Sequence, residues 1–322
     1  MTGQALVASS ATPKAARYQK TEQALWDRYG LEPAVRFIQL GSPRVRLRVL
    51  GFGSGRPVLF LHGTVGPGSW ASLIGAIPGI RSFVLERPGW GLSEAVDFPK
   101  DGYRRFVADM LCGVLDALGL DRVDVVGGSI GDVWALSLAE HHPSRVDRIV
   151  LLGGGPVVAE VPVPGFIKLL RTPVGALLVR LPMMPDRLRS ILRDSGHGAS
   201  LEAGRIPGEF IDWRVALAND TPSMRHERDM VRSILGRSGW RPGVMFEERD
   251  LARIGQPTLL VYGTADPTGN ADLWRRVMAA MPRGELHVMD RAGHQPWFEN
   301  APGVGAQVSA FLAAPAGAPG PV

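Results

Sequence analysis

The sequence predicts an α/β architecture: a mostly parallel eight-stranded sheet flanked by helices, with one helical region inserted into it. Three observations predict this. Short apolar runs alternate with helical segments along most of the chain, as in parallel sheets covered on both faces. The alternation lapses from about residue 155 to residue 253 and then resumes. A serine flanked by glycines, in Gly127-Gly128-Ser129-Ile130-Gly131, stands where a strand runs straight into a helix. At 322 residues and 45% hydrophobic, the chain can bury one large core with an insertion, which excludes a disordered chain or a fibre.

The elements follow in order. Tyr18 to Tyr29 reads as a helix with Leu25, Trp26 and Tyr29 on one face, followed by extended segments over Val35–Leu40 and Val45–Gly51. In the second, Val45, Leu47 and Val49 alternate with Arg44, Arg46 and Arg48, the pattern of a half-exposed edge region. Pro57–Leu61, Ser82–Leu85, Arg122–Val126 and Arg148–Leu152 are the next strands. Beyond the lapse come a strand over Pro257–Tyr262, a helix over Asn270–Met281, a strand over Glu285–Met289 and a helix ending near Ala313. The expected division is an N-terminal extension and helix (1–33), a core (34–154 and 254–313), a helical cap (155–253) and a flexible tail (314–322).

Composition narrows the function. The net charge of +5 comes from 36 basic and 31 acidic residues, and the arginines are spread rather than clustered, which argues against nucleic acid as partner. Cys112 is the single cysteine and sits in an apolar helical stretch, so an internal disulfide is excluded, a core position is expected and a reducing, cytoplasmic setting fits. Residues Met1 to Ala16 lack the basic and apolar blocks of a secretory signal. The lipophilic stretch Phe166–Leu181 is broken by Lys168, Arg171, Pro173 and Arg180, which predicts an amphipathic cap helix rather than an integral membrane span. No His-Glu-x-x-His or paired Cys-x-x-Cys occurs, so no metal is expected, and no glycine-rich phosphate loop follows a strand, so no cofactor is expected.

The chemistry is expected around Ser129. Glycines two residues to either side let the backbone turn sharply from strand to helix and present the hydroxyl. A serine hydroxyl needs a base during attack, and His294 follows the strand Glu285–Met289 on a loop that can carry it over the sheet's carboxyl edge. Asp266, after the strand Pro257–Tyr262, is placed to fix the imidazole tautomer. His62 is expected to bond local backbone, His141 and His142 to close a helix, and His197, His226 and His287 to be surface or packing residues.

The chain order Ser129, Asp266, His294 resembles that of the α/β-hydrolases. Leu61-His62-Gly63-Thr64 looks like that family's oxyanion loop, Glu86 to Ser93 like the turn after its fourth strand, and Pro143-Ser144-Arg145-Val146 like the entry to its sixth. The resemblance covers about Val35 to Leu312, apart from the variable lid. It implies two-step acyl transfer on a small-molecule acyl substrate, with the backbone amides of Thr64 and Ile130 holding the oxyanion. Ester cleavage leads; C–C bond, thioester or perhydrolytic chemistry uses the same triad, and a non-catalytic ligand-binding protein of the same fold is the alternative of another class. Trp70, Met183, Met184, Trp213 and Trp240 are the candidate pocket residues. Two residues depart from the family pattern: Glu86 where aspartate is common, and Asp132 where a small residue is usual. A carboxylate at Asp132 would oppose the field that stabilises an oxyanion.

Overall fold

A computed structural model describes residues 12–314. The absence of a signal pattern before residue 12, and most of the expected tail, concern positions outside the described residues. Eight strands form one sheet: β1 (Ala34–Gly41), β2 (Arg44–Gly53), β3 (Arg56–Leu61), β4 (Ile80–Leu85), β5 (Val123–Gly128), β6 (Val146–Leu152), β7 (Thr258–Gly263) and β8 (Gly284–Met289). Their order is β1-β2-β4-β3-β5-β6-β7-β8. Only β2 runs against its neighbours; β4, β3 and β5 to β8 are parallel. This is the sheet expected for an α/β-hydrolase fold.

Period-two alternation explains why the inner strands are apolar throughout. Leu59 and Leu61 of β3, Val125 of β5 and Ile149 and Leu151 of β6 face one way, into a layer with helices Tyr103–Leu118 and Ile130–His141. Val58, Phe60, Val126, Val150 and Leu152 face the other, with Trp70, Trp297 and helix Ala301–Ala313. Each fully buried side chain of this kind adds roughly 1.5–3 kcal/mol of hydrophobic stabilisation.

Three local expectations change. The first helix begins at Pro13 rather than Tyr18, because Thr12 caps it and proline suits the first turn, where no apolar residue marks the start. The arginine-rich strand β2 is internal, not an edge: β1 pairs with its outer side and β4 with its inner side. Its Arg48 is therefore buried, with bonds to Glu22 at 2.6 Å and to Glu86 at 2.7 Å, and the Tyr18 hydroxyl lies beside both carboxylates. Burial raises the Glu86 carboxyl above its ordinary value despite the pull of Arg48. Cys112 is half-buried rather than in the core, with its sulfur 2.9 Å from Arg145 Nη1.

Between β6 and β7 the chain forms helices Gly165–Leu170, Pro173–Leu178, Pro185–Leu192, Gly208–Asp220 and Ser223–Ile234, with a wide turn over Arg193–His197. Among the described residues no helix is long and apolar enough to cross a membrane.

Candidate active site

The turn at Ser129 is built by steric demand from its neighbours. Strand β5 ends at Gly128 and helix Ile130–His141 begins two residues later, leaving Ser129 at φ 58° and ψ −125°, a conformation that an L-residue adopts only when its surroundings impose it. A side chain at Gly131 would collide with the carbonyl of Leu61, so glycine there lets the helix start press against β3. The Gly63 backbone passes so close that an added Cβ would lie 2.6 Å from the Ser129 Cβ.

Asp266 and His294 are in contact. Nδ1 of His294 lies 2.8 Å from Asp266 Oδ2, which also accepts from the backbone N–H of Gly154 at 2.8 Å. The other oxygen, Oδ1, accepts from the backbone N–H and the hydroxyl of Thr268. Burial opposes ionisation of Asp266, but the His294 charge, their hydrogen bond and these donors outweigh it and hold the carboxyl below its ordinary value. Burial likewise opposes the imidazolium, yet Asp266 raises His294 above the ordinary histidine value.

Ser129 and His294 line one cavity of about 470 Å³, together with Thr64 and Ile130. Of the five expected pocket residues, Met183 and Trp240 line it. The other three do not. Met184 is 60% exposed at the start of helix Pro185–Leu192. Trp70 is buried in the core, stacked on Trp297 with centroids 4.6 Å apart, and Trp213 is buried against Gly66, Gly68 and Phe210. A large apolar side chain on a helix is as easily core as pocket, and the pattern alone does not distinguish them.

Two charged residues of the lining, Arg214 and Glu227, are ones that the sequence reasoning missed. Arg214 is buried, donates to the Thr64 carbonyl at 3.1 Å through Nη2 and leaves Nη1 without a partner. Burial pushes it down to about 10, so it remains a cation at neutral pH. Glu227 accepts from Arg87 at 3.0 Å and from Trp90 Nε1 at 3.1 Å. The signal was present: Arg214 lies between Phe210 and Leu217, and Glu227 precedes Met230, Val231 and Ile234, at positions where helical periodicity asks for an apolar residue.

The histidines sort unevenly. His62 meets the Gly63 carbonyl at 2.8 Å and accepts from the Arg87 N–H, and burial with the Arg87 charge holds it well below its ordinary value. His142 reaches Asp109 at 2.8 Å. His197 is fully buried and bonded, not a surface residue. Asp132 is buried with Oδ2 accepting from the Gly155 N–H at 3.1 Å, and burial raises it well above the ordinary carboxylate range. Burial thus disfavours the charge whose field was expected to oppose an oxyanion. Among the described residues, no cluster of three or more potential ligands could hold a metal.

Comparison with known proteins fits this geometry. The chain is 33% identical over 279 residues to a 2-hydroxy-6-oxononadienedioate/2-hydroxy-6-oxononatrienedioate hydrolase of Pseudomonas putida, covering 82% of this chain and 90% of that one. A Burkholderia vietnamiensis hydrolase of the same description is 32% identical, with 84% and 91% covered. Among solved structures, naproxen esterase from Bacillus subtilis superposes with a TM-score of 0.73 at 17% identity, covering 94% of this chain and all of that one. The 2-hydroxy-6-oxo-6-phenylhexa-2,4-dienoate hydrolase from Rhodococcus gives 0.70 at 20% identity, covering 88% of this chain and all of that one. These two likenesses concern the fold. With the family model matching residues 58–307, the chain belongs to the alpha/beta hydrolase family and is a hydrolase.

Proposed function

We propose that this hydrolase works through Ser129, His294 and Asp266 and cleaves the C–C bond of a 2-hydroxy-6-oxo dienoic acid or a close analogue. The observation that carries the reading is Arg214, a buried cation with an unpartnered Nη1, on a residue that lines the same cavity as Ser129 and His294. Glu227 acts on Arg214 from the same lining but is bonded to Arg87 and Trp90 and makes no ion pair with it, which leaves room for a substrate carboxylate to do so. The names of the relatives describe such acids.

The chemistry follows from the substrate class. Ketonisation of the 2-enol turns carbon 5 into a leaving group, because its departing electron pair is delocalised into the new ketone. Ser129 Oγ adds to the carbon-6 carbonyl as His294 takes its proton, and the amides of Thr64 and Ile130 hold the oxyanion. The bond between carbons 5 and 6 breaks, and the His294 proton goes to the departing fragment. Water, deprotonated by His294, then adds to the acyl carbon and frees it as a carboxylic acid, while the proton held on His294 returns to Ser129 Oγ. The net change adds hydroxide to carbon 6 and a proton to carbon 5. The residues around 155–253 act as the cap over this site, and the single half-buried Cys112 supports a cytoplasmic setting.

Ester cleavage is the second reading, favoured by the mainly apolar lining of the cavity. Turnover of a 2-hydroxy-6-oxo dienoate and of p-nitrophenyl butyrate, with Ser129→Ala and Arg214→Ala, separates the two. The expected result is faster cleavage of the dienoate and a KM rise of about tenfold or more in Arg214→Ala for that acid only. Preference for the neutral ester, unaffected by Arg214→Ala, overturns the C–C reading.

A further inference from the structure

We propose that His197, contributed by the inserted region, is a positioning residue for His294, so that the cap carries part of the catalytic geometry. The inference rests on the triad reading above. It comes from how the loop bearing His294 is held. The backbone N–H of His294 donates to the carbonyl of Ser195, a cap residue, at 2.9 Å. Two residues on, His197 is fully buried and bonds two residues that follow His294, Gln295 and Glu299. Its Nδ1 donates to Glu299 Oε1 at 2.7 Å, and its Nε2 lies 2.9 Å from Gln295 Oε1 and 3.1 Å from the Gln295 backbone nitrogen, whose N–H it accepts in the neutral Nδ1–H tautomer.

Glu299 closes the circuit. Its Oε2 accepts from the Gly293 N–H at 3.3 Å, and its Oε1 also accepts from the Ser200 hydroxyl at 2.9 Å. The backbone N–H groups of residues 293, 294 and 295 are thus all satisfied by Glu299 or by cap atoms. The turn is shaped for this contact: Gly196 has φ 88°, and a side chain there would collide with the carbonyl of Ala265, next to Asp266. One cap turn therefore abuts both the loop of the base and the loop of the acid. A base displaced by about 1 Å forfeits roughly 100-fold in rate, which is the leverage such a clamp exerts.

The test compares the whole chain with His197→Ala and His197→Gln. The measurements are kcat and KM for p-nitrophenyl butyrate, the rate of fluorophosphonate labelling of Ser129, and thermal melting. Expected for His197→Ala is a fall of about tenfold or more in kcat and in labelling rate, with KM within about threefold. His197→Gln, which retains an acceptor for the Gln295 N–H, recovers part of both. A folded His197→Ala with unchanged kcat overturns the proposal, as does a variant altered only in KM. If His197→Ala does not fold, Glu299→Gln takes its place with the same measurements: a fall in kcat and labelling supports the proposal, and unchanged kcat overturns it. An active, unlabelled Ser129→Ala would refute the triad itself, a result distinct from either outcome at His197.

Discussion

The sheet and the inserted helices both bury apolar side chains, but they meet each other through buried polar contacts as well. On the sheet, two continuous apolar layers sandwich β3, β5, β6 and β7, and the polar atoms of the strands bond one another. The insertion has a small apolar cluster of its own, Ile167, Leu170, Val231 and Leu235, while Leu188, Leu192, Phe210, Trp213 and Leu217 join one of the sheet's layers. It is seated through buried polar contacts as well: Glu227 on Arg87 and Trp90, Ser223 on the Gly91 N–H, Arg214 on the Thr64 carbonyl, and His197 on the histidine loop. Apolar layers tolerate many sequences of similar volume, whereas a polar contact depends on both partners. The sheet carries Ser129, Asp266 and His294, and the insertion supplies much of the cavity lining around them.

The sharpest way to break this contrast is at the proposed triad on the sheet. Ser129→Ala is expected to lower kcat by about 10⁴-fold or more while circular dichroism and melting stay unchanged. Asp266→Asn follows, with a loss of about 10³- to 10⁴-fold, because the imidazole loses the partner that fixes its tautomer. In the native enzyme the acid limb of kcat/KM should lie above the ordinary histidine value, since Asp266 raises His294 and only the neutral imidazole is a base. Activity is therefore lost as pH falls through that raised value, and the limb should move lower in Asp266→Asn.

The insertion should respond in stability. Glu227→Ala leaves Arg87 buried without its carboxylate, with an expected loss of about 3–5 kcal/mol in urea unfolding. Wild-type stability in that variant would mean that the polar seat is dispensable. The smallest effect is expected at Asp132. Its carboxyl is raised in the folded state, so its contribution is fully present below the unfolded value and is lost as pH rises toward the folded one. Asp132→Asn should remove that slope and gain stability relative to wild type at neutral pH, with kcat within about threefold. Parallel pH–stability curves for the two proteins would show that Asp132 is ionised after all.

What could be read from the sequence divides along the same line. Ser129, Asp266 and His294 were legible because each follows a short apolar strand, and parallel strands bring their carboxyl ends together. The position of β2 was not, since alternating arginines look alike whether they meet water or, like Arg48, two buried glutamates. Among the pocket candidates, apolar size pointed to Trp70, Trp213 and Met184, none of which lines the cavity. The informative residues were the misplaced charges, Arg214 and Glu227. His197 offered no periodic clue, because its partners lie about a hundred positions away.

The first helix, Pro13–Asp27, stands on both regions at once. Glu22 and Tyr18 surround Arg48 within the sheet, while Arg17 pairs with Asp220 and Arg28 meets Glu209 on the helix Gly208–Asp220, which also carries Arg214. The segment matched by the family begins only at residue 58. Trimming the chain to that boundary would strip away two strands and the strut that props the cavity-lining helix from behind. Anyone engineering this enzyme for size should treat its N-terminal residues from Pro13 onward as part of the machine.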